Sequence, residues 1–465
     1  MAAVDPLKTL PAGALILRAD NGSEVVLRDL EECAELPTVW ALDKRMRLVA
    51  RPLTAIHRVG QAEVFNLRLA SGRVVEASAD SELRTLSGWL PVCSLSIGDR
   101  VAAPRRLPAP LNPQSMDADE LILLAHMIGD GSCVKNQPIR YASIDEQNLL
   151  AVVNAARHFG VTAKRDDYPA ARVTTLRLPA PYHLTHGVRN PIAAWLDELG
   201  LFGRRSHEKF VPAEVFATPN DQVALFLRHL WATDGCITWD CRYKLANIYY
   251  ASTSRRLADD IRQLLGRLNI ATRLYRVGQG KYRDAWHLRV FGVDNQRRFV
   301  HAVSAHGVKY FAAREVLFNL EGVKANENVD TVPREVWDQV RQDLKDQQMS
   351  HRAFAEAMRI KFCGSTMWKH SPSRTRLHRA AAILDDRSLH DLTTNDVFWD
   401  KIVEITSVGQ QDVYQIAVAG ADNLVVQGVP MRAPSAAVEA SHPAVATVQR
   451  TPRPSPTRFT CRDSR

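Results

Sequence analysis

The chain has 465 residues, 46% hydrophobic and 24% charged, and its 60 Lys and Arg against 51 Asp and Glu give a net charge of +9. That much apolar material excludes a disordered chain and predicts two to four domains. The absence of an eighteen-residue apolar run excludes a membrane-spanning helix; the start Met1-Ala2-Ala3-Val4-Asp5 lacks a secretory leader, and seven scattered cysteines suit a reducing cytoplasm.

The charge is uneven: residues 111–320 carry +7, and within them 241–310 carry +10 against +2 for the comparable stretch 131–200. An internal repeat spans this middle region. Leu124-Ala125-His126-Met127-Ile128-Gly129-Asp130-Gly131 recurs as Arg228-His229-Leu230-Trp231-Ala232-Thr233-Asp234-Gly235. Ile139-Arg140-Tyr141-Ala142-Ser143 recurs as Ile248-Tyr249-Tyr250-Ala251-Ser252, each followed by a helical stretch, Asn148 to Phe159 and Leu257 to Leu268. Further on, Leu199 to Phe216 matches Leu320 to Trp337 loosely, with Pro212 opposite Pro333. Two copies predict a pseudo-two-fold pair of α/β units rather than a solenoid.

If the two apolar helices pack along the dyad, Asp130 and Asp234 meet at their C-terminal ends. Two carboxylates there repel each other and the helix dipoles, a conflict that a hard divalent cation, Mg²⁺ or Mn²⁺, relieves. The plainer reading is that Asp-Gly simply ends a helix, with the glycine at positive φ. Ala125 and Gly129 are small enough for close helix approach, whereas the matching His229 and Thr233 are bulkier and put that packing in question.

After the repeats, Val336 to Leu344, Ala353 to Ile360 and Leu377 to Leu384 are predicted helices. Seven basic residues against Glu356 fall between Arg352 and Arg379, the pattern of a helix-turn-helix touching flanking DNA or of a bundle that closes the rest of the fold. The Pro/Ala/Ser/Arg-rich tail, residues 434–465, reads as disordered. Cys236 and Cys241 lack a second pair at zinc spacing, and no phosphate-loop motif is present.

The paired Asp-Gly helices resemble the LAGLIDADG (DOD-type) homing endonucleases, and the flanking segments resemble an intein of the kind inserted in actinobacterial replicative helicases. Ile16-Leu17-Arg18-Ala19-Asp20, Arg68 through Arg73 and on to Trp89, Lys401 through Ile405, Val413 through Ile416 and Asp422 through Gly428 carry the second likeness. The resemblance implies a multidomain chain. A β-rich Hint-like splicing frame (9–110 and 398–433) surrounds an α/β endonuclease (111–325, repeats about 117–216 and 220–325) and a helical module (331–395). Splicing in that family needs a Cys or Ser nucleophile at the first position, a histidine in the second block, a histidine in the last and a terminal Asn. The aligned positions here are Thr9, Ser81, Asp422, Arg432 and Ala433, so the resemblance implies a frame that has lost self-splicing.

For the endonuclease, the resemblance implies Asp130 and Asp234 as metal ligands and catalytic acids, with Lys209 of Ser206-His207-Glu208-Lys209-Phe210-Val211-Pro212 as a cleft lysine. The repeat's counterpart of Lys209 is Asp330, which leaves Lys281 or Lys324 to supply a second. The product would be a staggered double-strand break in a duplex, an uninterrupted helicase-gene site, made by a monomer. Candidate DNA contacts are Arg140, Lys164, Arg172 and Arg177 in the first half, and Arg242, Lys244, Arg273, Arg276, Lys281, Arg283 and Arg289 in the second. The basic excess at 241–310 predicts that the second half grips its half-site harder. An intein that still splices, and a LAGLIDADG/helix-turn-helix regulator that binds without cutting, are the alternatives.

Overall fold

The computed structural model of the protein describes residues 8–135, 137–168, 170, 173–183, 187–433 and 435–436; Arg172 and nearly all of the tail from 434 lie outside them. From the start, strands β1 (Leu10–Pro11), β2 (Leu15–Leu17), β3 (Glu24–Val26), β4 (Thr38–Leu42), β5 (Leu48–Leu69), β6 (Val74–Ser78), β7 (Glu82–Thr85), β8 (Gly88–Pro91) and β9 (Arg100–Pro104) precede the first helix. β1, β2, β5, β7 and β9 pair with strands about three hundred or more residues further along the chain. The long strand β5 pairs antiparallel with Val397–Ala419 from Leu69↔Ile402 to Leu53↔Val418, through four register shifts. In a second sheet, Asn423–Val426 sits between β2 and Val429–Arg432, which in turn pairs with β7. Leu10, Ile16, Leu67, Val75, Ile402, Ile416, Val426 and Met431 share one buried core. Neither half of this frame can close a sheet without the other.

Between the halves lie two units of one design. The first runs α1 (Ala118–Gly129), β10 (Gly131–Ser132), β11 (Arg140–Ser143), α2 (Glu146–His158), β12 (Lys164–Tyr168), β13 (Val173–Arg177) and α3 (Pro191–Glu198). After the short α4 (Ala213–Ala217), the second runs α5 (Asn220–Asp234), β14 (Gly235–Asp240), β15 (Leu245–Ser252), α6 (Arg255–Arg267), β16 (Thr272–Val277), β17 (Ala285–Val290), α7 (Val293–Ala302) and α8 (Lys309–Leu320). Both sheets have one strand order, β10-β11-β13-β12 and β14-β15-β17-β16. Asp117, Asp145, Asn190 and Ser254 begin α1, α2, α3 and α6 by accepting backbone N–H groups. Helices α1 and α5 are apolar on nearly every side and lie in a core common to both units, with Trp231, Tyr141 and Tyr250 fully buried.

The bulk opposite Ala125 and Gly129 does not hold the helices apart. A Cβ on Gly129 would fall 2.1 Å from Thr233 Oγ1, so the glycine is what lets α5 come this close. His229 is accommodated by a buried polar contact, His126 Nε2 to His229 Nδ1 at 3.0 Å, while His126 Nδ1 meets the Tyr141 hydroxyl at 3.0 Å. Gly131 and Gly235 do not take positive φ, contrary to the plainer reading of Asp-Gly. A Cβ on either would strike the preceding helical turn, 2.5 Å from Met127 Cα or 2.3 Å from Trp231 Cδ1. The loose match of Leu199–Phe216 with Leu320–Trp337 is also out of register. By element order α3 corresponds to α7, and Leu320 already ends α8.

Helices α9 (Val336–Asp346), α10 (His351–Ala357) and α11 (Arg374–Leu384) fall on the three predicted stretches, and α12 (Arg387–Thr394) is an addition. Their core of Trp337, Phe354, Leu377 and Leu389 also takes in Leu42, Ala102, Val397 and Trp399 of the frame strands. Arg374, 9% exposed, donates to Asp330 Oδ2 at 2.8 Å, Leu392 O at 2.7 Å, Asn395 Oδ1 and Val397 O. Its removal leaves the half-buried Asp330 carboxylate with Arg105 alone, at 3.5 Å, and strands three acceptors. Arg374→Ala is expected to cost about 3–5 kcal/mol, read as a lower denaturation midpoint in urea; a change under about 0.5 kcal/mol would contradict this role. Among the basic residues of this segment, Arg352, Arg359, Lys361, Lys369 and Arg379 are exposed, while Arg374 and Arg376 are turned inward.

Candidate functional site

Asp130 is the C-cap of α1 and Asp234 the last residue of α5, and both open onto the cleft where the helices end. Loss of hydration, then the charge of Asp234, pushes the Asp130 carboxyl up to about 6. Asp234 is raised as well, by burial. The conflict expected from two acids at two helix C-termini is therefore present.

Lys209 is 5% exposed, and its ammonium donates to Met127 O and Ile128 O at 2.9 Å, Gly131 O at 2.8 Å and Gly129 O at 3.2 Å. It caps the carbonyls that α1 leaves open, and its charge acts on both aspartates. Lys309 does the same for α5, donating to Thr233 O and to Trp231 O at 3.4 Å, and it too feels both carboxylates. Burial lowers the pKa of both lysines. Lys309 is thus the second cleft lysine. Lys281 lies in the turn between β16 and β17 and Lys324 beyond α8. The missed signal was the likeness of His207-Glu208-Lys209-Phe210 to His306-Gly307-Val308-Lys309-Tyr310, obscured by one extra residue.

Each lysine loop is held by the opposite repeat. The Ser254 hydroxyl, at the start of α6, donates to Lys209 O at 2.6 Å, and Asp260 of α6 accepts Val211 N at 2.9 Å. Asp145, at the start of α2, accepts Val308 N at 2.8 Å. A lysine's head therefore caps its own repeat's helix while its backbone is fixed by the other's.

Strand alternation sorts the predicted DNA contacts. Arg140 and Lys164 both pair with Arg177, forming one cross-strand row on the face opposite buried Tyr141 and Leu176, and Arg177 is ion-paired to Asp166 at 2.5 Å. In the second sheet Arg273 is directly opposite Arg289, which itself is opposite Tyr249, all on the face away from buried Leu274 and Leu288. Tyr249 and His287 stack there at 4.9 Å, a pair not expected from the sequence. Arg276 shares the parity of Leu274, so it lies on the other face, paired with Asp284. Arg242 and Lys244 occupy the β14–β15 turn, and Lys281 and Arg283 the β16–β17 turn. Part of the excess at 241–310, a net +3, lies elsewhere: Arg255, Arg256, Arg262 and Arg267 are on α6 with Asp259 and Asp260, and Arg297 and Arg298 on α7 with Asp294, behind the sheet.

The five splicing-frame positions converge. Thr9 Oγ1 meets Ser78 Oγ at 3.0 Å, and Ser81 Oγ donates to Thr9 O at 2.6 Å. The next residue, Glu82, accepts Arg432 Nη1 at 3.1 Å; Arg432 also lies 3.5 Å from Asp422, whose carbonyl accepts Ala433 N at 2.8 Å. The two ends of the frame thus meet at hydroxyls, one guanidinium and one carboxylate, with no thiol, imidazole or terminal carboxamide among the five.

Two apolar helices that end in acids, each backed by an antiparallel sheet of the same order, define a LAGLIDADG-like domain, and the model of that family matches residues 221–303. The chain as a whole resembles an intein with such an endonuclease set into it. Replicative DNA helicase DnaB of Synechocystis sp. is 32% identical over 422 residues, covering 90% of this chain and 48% of the helicase. That of Rhodothermus marinus is 35% identical over 424 residues, covering 90% and 45%. The chain spans about half the length of the curated relatives it matches. Among solved structures, a variant of the Ssp DnaB mini-intein is 27% identical with a TM-score of 0.21, covering 22% of this chain and 66% of that one. A mesophilic variant of the homing endonuclease I-DmoI is 12% identical with a TM-score of 0.30, covering 43% and 97%.

Proposed function

We propose that the protein is a site-specific homing endonuclease that makes a staggered double-strand break, acting as a monomer in the cytoplasm on an uninterrupted helicase-gene site. The observation that carries this reading is the single cleft in which Asp130, Asp234, Lys209 and Lys309 act on one another. A domain that only binds DNA has no use for two like charges at two helix ends.

The donor set fits a hard divalent cation, Mg²⁺ or Mn²⁺: two carboxylates with raised pKa values, opening side by side onto one cleft. Asp130 and Asp234 would hold such a cation, which would lower the pKa of a water and neutralise phosphate charge. The chain's own groups do the rest. The carboxylates accept hydrogen bonds from the attacking water and fix its line of approach. The lysine ammoniums, already held by helix carbonyls, offset negative charge growing on the phosphate without rearranging. The pseudo-dyad presents this arrangement once to each strand, so two cuts result. Sheet faces carrying Arg140, Lys164, Arg177, Arg273 and Arg289, with the turn residues Arg242, Lys244, Lys281 and Arg283, hold the duplex.

Incubation with Mg²⁺ and a plasmid carrying the uninterrupted helicase-gene site tests the reading: linear product supports it, and an intact plasmid with DNA bound on a gel would favour the regulator. Metal binding should also depend on pH. A protonated carboxyl is a poor ligand, so Mg²⁺ affinity in calorimetry is expected to fall as pH drops below about 6, the range to which Asp130 is raised. A flat profile between pH 5 and 8 would refute this.

The frame, in our reading, has lost self-splicing. Ser81 stands hydrogen-bonded to Thr9 O where an imidazole would be needed, and Ala433 has no side-chain amide to cyclise. Fused between two reporter domains, the chain is expected to stay a single unprocessed polypeptide. A ligated reporter band would overturn the loss.

A further inference from the structure

Basic residues outside the saddle, the pair of sheet faces that holds the duplex, lead to a second place in the molecule. Where α6 faces the frame, a cavity of about 610 Å³ is enclosed by strand residues of the frame, the outer face of α6 and the segment 328–331. Nine basic side chains line it against four acidic ones. Several are already committed: Arg105 to Asp330, Arg106 to Asp396, Arg255 to Asp259 and Arg256 to Asp260.

One buried guanidinium is not fully matched, and a second near it is only weakly held. Arg262, 7% exposed, reaches Asp259 Oδ1 at 3.0 Å through Nη2, but its buried Nε has no acceptor. Arg73 donates to Ser71 Oγ at 3.3 Å but lies 4.0 Å from Asp400 Oδ2, too far for a hydrogen bond, and that buried oxygen has no donor. The two cations repel each other: burial first, then Arg73, lowers the Arg262 guanidinium to about 10. Lys401, exposed, also lines the cavity. Leu15, Leu17 and Phe291 provide an apolar side. A cavity-lining guanidinium with an unused donor, near a second that is weakly held, is what an oxyanion with several acceptor oxygens would satisfy, and the volume suits a ligand of nucleotide size.

We propose that this cavity is a binding site for a free phosphate-bearing small molecule, a nucleoside phosphate, whose phosphate oxygens bridge Arg73 and Arg262 and whose base packs on the apolar side. Most of the lining lies on α6 and the frame strands, and Arg273, at the start of β16, is the one lining residue shared with the sheet face that holds the duplex. It is independent of the endonuclease reading.

The test is calorimetry of the full chain with ADP and with inorganic pyrophosphate, free of metal and at constant ionic strength. Saturable one-to-one binding of ADP, tighter than that of pyrophosphate, is expected. Arg262→Met should weaken it about tenfold or more, with Arg73→Met as a second variant should the first not fold by circular dichroism. Asp234→Asn, in the cleft, should leave the affinity unchanged. The absence of saturable binding, wild-type affinity in both arginine variants, or displacement of ADP by a short random-sequence duplex would each overturn the proposal.

Discussion

Asp234→Asn is expected to reduce plasmid cleavage on the order of 10³-fold while leaving the fold intact and DNA binding within a few-fold of wild type. The carboxylate sits at the last residue of α5 and opens onto the cleft, so an isosteric amide removes charge without removing packing. Asp130→Asn should behave alike. The variant should also be no less stable than wild type when metal is absent. A carboxyl whose folded-state pKa is raised binds protons more readily folded than unfolded, so it opposes folding; for Asp130 the opposition is full above about pH 6 and fades as pH falls towards the ordinary carboxylate range. Neutralising either acid relieves that opposition, and the metal-free melting temperature near pH 8 should hold or rise. Cleavage at wild-type rate by either variant would remove the cleft from the mechanism. A large fall in melting temperature would mean that the carboxylates are structural.

Lys309→Met is expected to slow one strand's scission on the order of 10²-fold and leave the other nearly unaffected, so that nicked plasmid accumulates. Its ammonium is tied to carbonyls at the end of α5 as that of Lys209 is to those at the end of α1, and each serves one side of the dyad. Lys209→Met should nick the complementary strand. With DNA saturating, Lys281→Met and Lys324→Met, both outside the cleft, should change neither rate by more than about twofold, though the former can weaken binding. Strand-specific end labelling reads the outcome directly. Equal slowing of both strands would show that the two halves do not act separately, a result the cross-repeat clamps of Ser254 and Asp145 would explain.

Much of the site was legible because its signals are local. An apolar helix ending in Asp-Gly is a contiguous pattern, and its recurrence in one chain predicts a dyad without any coordinates. The His-Glu-Lys-Phe run marked Lys209 for the same reason. Lys309 was missed because the two lysine loops differ in length, so a register set by Pro212 and Pro333 slid past it to Asp330. Asp330 is instead an ion-pair partner of Arg374 in the helical module. The sense of Gly131 and Gly235 was likewise beyond a sequence reading, since steric closeness to the preceding helical turn leaves no mark on residue type.

By itself the sequence determined the repeat, the two acids, one lysine, the helices after the repeats and the odd residues at the splicing positions. Each of these is written in a short stretch of chain or in a periodicity. Tertiary structure alone decided which lysine faces Lys209 across the cleft, which arginines share a sheet face, and where the excess positive charge goes. Those outcomes depend on which strands pair and which side of a helix is covered, and both are set by contacts between residues far apart in the chain. Part of the charge at 241–310 therefore lies on α6, turned away from the saddle and toward the frame.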